Sequence, residues 1–155
     1  MTSASEVGDF AERHGVTLAC AESLTGGNLA AALSAAPDSA QWFRGGVVAY
    51  SVLVKQQVLG VPEVPVVSET AALAMAEGVR KLTDADVAVA TTGVGGPGPD
   101  DGEPAGSVWC AVATRAESWA VHRDFDGDPE AVLSQSVDCA LALLHEGQAR
   151  PVSGR

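Results

Sequence analysis

The chain has 155 residues, 46% apolar and 19% charged, which is enough for one compact domain and too little for two. About two-thirds of the unfolded surface of a chain this long can be buried, so a sizeable core forms without disulfide staples. Lys and Arg total 9 against 20 Asp and Glu, a net charge of −11, and the basic residues are scattered; a nucleic-acid backbone or an anionic membrane is disfavoured as a partner.

In chain order, residues 3–14 place Val7, Phe10 and Ala11 at helical spacing, with Ser3 or Ser5 as N-cap and Gly15 as stop. The run 16–21 (VTLACA) reads as a strand buried on both faces, and Glu22 ends it. After SLTGG a helix over 28–36 is closed by Pro37. Residues 46–50 (GVVAY) form a second strand, and a short helix over 52–59 ends at Gly60. Ser68 caps a long helix reaching Leu82, and 86–90 (DVAVA) is a third strand that delivers the glycine-rich loop from Thr91 onward. Strands over 107–113 and 118–125 make a hairpin through Arg115 and Ala116, and a final helix spans 129–145. Residues 1–150 are thus one domain and 151–155 (PVSGR) a loose tail. Helices alternating with apolar strands predict a three-layer α/β/α domain whose mainly parallel, mixed sheet carries one antiparallel strand.

Cys20, Cys110 and Cys139 lie far apart in apolar runs, as expected of small hydrophobic residues in a reduced, cytoplasmic chain. The N-terminus lacks the basic-then-apolar pattern of an export signal, and no window reaches a membrane span. His14, His122 and His145 have no ligand spacing, so no metal site is expected. The acidic clusters Asp100, Asp101, Glu103 and Asp124, Asp126, Asp128 read as solvated turns.

In an open α/β sheet, ligands sit beyond the carboxyl ends of the parallel strands. Residues 21–27 (AESLTGG) leave a strand and enter a helix there. Ser23 either presents a hydroxyl to a ligand held by the first-turn N–H groups or, with Thr25, merely caps the helix. The segment 91–98 (TTGVGGPG) follows another strand, but it lacks the Lys-Ser/Thr ending of a nucleotide P-loop. Lys55, one of two lysines, stands among apolar residues in YSVLVK. Burial would lower its pKa and leave a neutral amine able to act as a base for a serine nucleophile; alternatively its stem lies on apolar surface with its head in water. Tyr50 stands beside it, and Ser51, four residues before Lys55, is a rival nucleophile.

Taken together, AESLTGG (21–27), FRGGVVAYS (43–51) with Lys55, LGV (59–61), VSETA (67–71), TTGVGGPG (91–98) and GSVW (106–109) resemble the C-terminal domain of competence/damage-inducible protein A, CinA, a family of nicotinamide-nucleotide amidohydrolases. The resemblance runs from about residue 3 to 146. It implies an α/β/α fold and a hydrolase of pyridine-nucleotide salvage. That enzyme converts the carboxamide of nicotinamide mononucleotide to the acid and ammonia, without cofactor or metal. By the same comparison Ser23 is the nucleophile, Lys55 the base and Tyr50 a supporting residue. On the chemistry this implies, backbone N–H groups near Gly26 and Gly27 would stabilise the oxyanion, Thr25 is placed with them at the substrate, and the Thr92-Gly93 loop is the candidate holder of the phosphate. The expected partner is a small nucleotide substrate, and a homo-oligomer follows by family analogy. Two departures stand out. Val52 and Leu53 replace polar residues of the family's YSNEAK, and residues 127–133 (GDPEAVL) hold no arginine where the family carries one in its catalytic constellation. A reading from another class is a silent homologue that binds a nucleotide or a protein partner.

Overall fold

The computed structural model describes residues 1–150; the tail expected at 151–155 lies outside the described residues. Five helices and five strands follow one another as α1 (Ala4–His14), β1 (Leu18–Glu22), α2 (Asn28–Ser34), β2 (Phe43–Val48), α3 (Val52–Leu59), α4 (Glu69–Thr83), β3 (Val87–Gly93), β4 (Ser107–Thr114), β5 (Ser118–Asp124) and α5 (Pro129–Ala149). The sheet order is β2-β1-β3-β4-β5. β1 pairs in parallel with β2 and β3, whereas β4 runs antiparallel to both its neighbours, so β4 alone is reversed. The three-layer mixed α/β architecture expected from the sequence is the one observed.

Side-chain size alternates along the central strands and sorts the layers. Leu18, Cys20, Val87, Val89, Val108, Cys110 and Val112 meet α1, α2 and α5. Ala19, Ala21, Ala88, Ala90, Ala111 and Ala113 face α3 and α4. Alanines let α4 lie close on the sheet, and Gly78 continues that economy on its other side, where a Cβ would stand 2.1 Å from the Leu59 carbonyl oxygen of α3. Close packing of this kind leaves no room for an added methylene.

Caps agree with the local chemistry. Ser3, Ser51, Ser68 and Asp128 accept from backbone N–H groups in the first turns of α1, α3, α4 and α5, and Gly15 and Gly60 end α1 and α3 in the left-handed region. Strand limits differ from expectation. β2 begins at Phe43 rather than Gly46 and stops two residues before Tyr50. β3 continues through Thr91, Thr92 and Gly93, which pair with Cys110, Trp109 and Val108 of β4 instead of opening the loop. α2 ends at Ser34, two residues earlier than the alanines suggest, while α5 runs four residues past His145. Among the described residues no helix is long and apolar enough to cross a membrane.

Candidate active site

β1, β2, β3 and β5 all point the same way, and the segments that follow them meet at one end of the sheet. Ser23 comes directly after β1, Tyr50 shortly after β2, Thr92 and Gly93 close β3, and Pro129 opens α5 after β5. Together with Lys55, Val67, Asp101 and Leu133 they line one cavity of about 680 Å³. Ser51 is not on its wall. The Ser51 hydroxyl accepts from Val54 N–H at 3.2 Å as the cap of α3, and that role accounts for it.

The turn holding Ser23 is built around Glu22, which does more than end the strand. Glu22 belongs to β1, is 0% exposed, and takes Leu29 N–H on one carboxylate oxygen and Ala30 N–H on the other, both at 2.9 Å. The anion at the N-terminus of α2 is therefore the chain's own, and those first-turn donors are not open to a ligand. α2 has no side-chain cap from Ser23 or Thr25. Gly27 precedes it at φ 106°, a conformation that a side chain would strain. The Thr25 hydroxyl instead pairs with that of Thr91 at 2.9 Å, buried, and Gly26 N–H donates to the Ser23 carbonyl at 3.0 Å. Thr25, Gly26 and Gly27 thus support the turn from behind and are not on the cavity wall. Ser23 is 8% exposed, and its N–H donates to Thr91 O at 3.1 Å, tying it to β3. Among the described residues no backbone hydrogen bond engages the N–H of Leu24, which does line the cavity.

Lys55 is 3% exposed, so its head does not sit in bulk water. Its Nζ donates to the Tyr50 carbonyl at 3.4 Å. Burial pushes its pKa below the ordinary lysine value, and the Asp101 carboxylate opposes that shift in part. The Tyr50 side chain is 71% exposed at the mouth. On the facing wall the Thr92 hydroxyl donates to Val66 O at 2.6 Å, and Val67 N–H donates to Asp101 Oδ2 at 3.0 Å. These two bonds fasten the segment before α4 between β3 and the loop after it. Asp101 is 34 residues from its partner, and nothing local in the sequence marks it. Glu22 carried a signal: it is an acid at the end of an apolar run, four residues before a pair of glycines and a helix start.

A family model of the CinA C-terminal domain matches residues 1–147. The chain is 40% identical over 153 residues to a protein of Pseudomonas putida named nicotinamide-nucleotide amidohydrolase PncC, covering 94% of this chain and 96% of that one. It is 52% identical over 107 residues to a CinA-like protein of a Synechococcus species, which is longer: the match covers 65% of this chain and 26% of that protein. The crystal structure of a CinA superfamily protein from Klebsiella pneumoniae superposes with a TM-score of 0.89 at 41% identity, covering 94% of this chain and 95% of the other.

Proposed function

The chain belongs to the CinA C-terminal domain family, and from that premise we propose that it is an amidohydrolase that converts the carboxamide of nicotinamide mononucleotide to the carboxylate of nicotinic acid mononucleotide, releasing ammonia. The reading is supported first by the near-full-length similarity to the protein named nicotinamide-nucleotide amidohydrolase. The observation that carries the mechanism is the shared cavity wall: a hydroxyl on a tight strand-to-helix turn and a buried, pKa-lowered amine line the same space.

Neutral Lys55 takes the Ser23 proton as Oγ attacks the amide carbon. The Leu24 N–H, next in the chain to the nucleophile, faces the oxyanion, as a donor in that position does in other strand-turn-helix nucleophile sites. Collapse breaks the C–N bond, and the Lys55 ammonium hands its proton to the departing nitrogen, leaving an ester on Ser23. Water, deprotonated by Lys55, attacks that ester, and the proton returns to Ser23 as the carboxylate leaves. The Tyr50 carbonyl holds Nζ in place between these transfers.

Ammonia release from nicotinamide mononucleotide by the purified protein tests the reading. Ser23→Ala should abolish it, and Ser51→Ala should retain most of it. The reverse pattern overturns the nucleophile. A rise in melting temperature with ligand but no ammonia, under conditions where an authentic family enzyme works, supports a binding protein instead.

A further inference from the structure

Away from the cavity, the fold brings two of the three free cysteines together. Cys110 sits with Val108 and Val112 on the face of β4 that α5 covers, and is 1% exposed. Cys139, on α5, packs against the same cluster but stays half-buried. The Cys110 thiol donates a hydrogen bond to the Cys139 sulfur. The strand register sets Val121 of β5 opposite Cys110 and Arg123 opposite Val108, so the Arg123 side chain belongs to this same face. The bond from Cys110 brings the Cys139 thiol below the ordinary cysteine value; burial opposes it, and the Arg123 guanidinium adds to the lowering. Cys110, buried and acting as donor, is held well above that value. Cys20, 0% exposed with its thiol pushed up by burial, fits the small-hydrophobe role expected of all three.

From this contact between a half-buried and a buried thiol we infer that Cys139 and Cys110 form a peroxide-reactive dithiol that closes into a disulfide between α5 and β4. Access assigns the roles: a small hydroperoxide reaches Cys139 and not Cys110. The Cys139 thiolate attacks one peroxide oxygen; the S–O bond forms, the O–O bond breaks, and the departing hydroxide takes a proton from solvent to become water. Cys139 is oxidised to a sulfenic acid and the peroxide is reduced. Cys110 sulfur then attacks Cys139 Sγ; the S–S bond forms, the S–O bond breaks, and the hydroxyl leaves as a second water with the Cys110 proton. The thiol that resolves the sulfenic acid is thus the one already in contact with it. The disulfide joins elements that border the cavity: Cys110 pairs with Thr91, whose carbonyl holds Ser23 N–H, and α5 carries Pro129 and Leu133 on the cavity wall. The redox chemistry itself does not depend on the amidohydrolase reading.

The experiment treats the reduced, folded protein with hydrogen peroxide, then denatures it and counts its thiols. The count should fall from three to one, with Cys20 left free, and dithiothreitol should restore all three. Peptide mapping should find the segments bearing Cys110 and Cys139 joined within one chain, at a rate independent of protein concentration. Cys139→Ser, a change at a half-buried position, should keep both of its remaining thiols under the same treatment. Cys110→Ala should stop at the sulfenic acid, which dimedone traps on Cys139; should that variant fail to fold, the wild-type map and Cys139→Ser decide the matter without it. Three thiols surviving a dose that oxidises free glutathione overturns the inference. So does a Cys139 disulfide between two chains, or a Cys139 driven to the sulfinic acid that dithiothreitol cannot restore while Cys110 stays free. A Cys139→Ser protein that loses thiols as the wild type does also overturns it.

Discussion

Lys55 answers two opposed demands, and both are visible in its surroundings. Burial makes its charged form costly, which is what a base needs and what stability disfavours. With the folded-state pKa below the unfolded value of about 10.4, the penalty is fully present below the folded value and is relieved as pH rises between the two. Lys55→Met should therefore raise the melting temperature near neutrality by about 2–4 °C per kcal/mol recovered, with that gain shrinking as pH rises, while turnover is lost. Lys55→Arg should be inactive without the gain, because a guanidinium stays charged. Wild-type rates should climb with pH and level off once the lowered pKa is passed. Because Asp101 raises that pKa, Asp101→Asn should move the climbing limb to lower pH. An active Lys55→Arg, or a limb that Asp101→Asn leaves in place, removes Lys55 as the base.

At the scale of elements, the turn between β1 and α2 decides whether Ser23 is presented at all. One buried and one half-buried N–H group converge on Glu22, and an amide at this position can accept from one while its NH₂ opposes the other. Hydrogen bonds to a charged group contribute about 1.5–3 kcal/mol each, so Glu22→Gln should cost about 2–4 kcal/mol. For a domain of this size that lowers the melting point by about 5–15 °C. Thermal melts check the first part; a Ser23 rate that falls beyond the fraction unfolded checks the second. A variant as stable as wild type would mean that the glycines alone hold the turn. This element also shows what the sequence could and could not reveal. Helix ends were legible because Ser68 and Gly60 act within a turn of their own position, whereas the capping role of Ser51 emerged only with α3 in place. β3 was cut short because Thr91, Thr92 and Gly93 resemble loop residues until β4 is laid beside them. The motif residues Ser23, Tyr50 and Lys55 could be singled out from their neighbours in the chain. Asp101 and Val67, joined across the fold, could not.

Across the whole molecule, the direction of four strands concentrates the candidate chemistry at one end, while a net charge of −11 surrounds it. Such a field slows the approach of an anionic substrate and leaves a cationic one unhindered. The start of α5 is where a compensating charge would enter: Pro129 and Leu133 both line the cavity, four residues apart on one helical face. Proline at the first helical position also presets the backbone there, so Leu133 is the position to change. Leu133→Arg places a guanidinium beside the bound nucleotide, and one charge-assisted hydrogen bond at about 1.5–3 kcal/mol corresponds to roughly 10- to 150-fold in kcat/KM. The gain should fall on nicotinamide mononucleotide, whose phosphate can accept it, and not on nicotinamide riboside, the same compound without the phosphate. Measuring both substrates at matched pH and salt, with a melting curve to show the variant is folded, separates the outcomes. A folded variant that speeds both compounds equally would place the new charge at the reacting carbonyl. One that speeds neither would show that the cavity's α5 wall lies out of reach of the substrate.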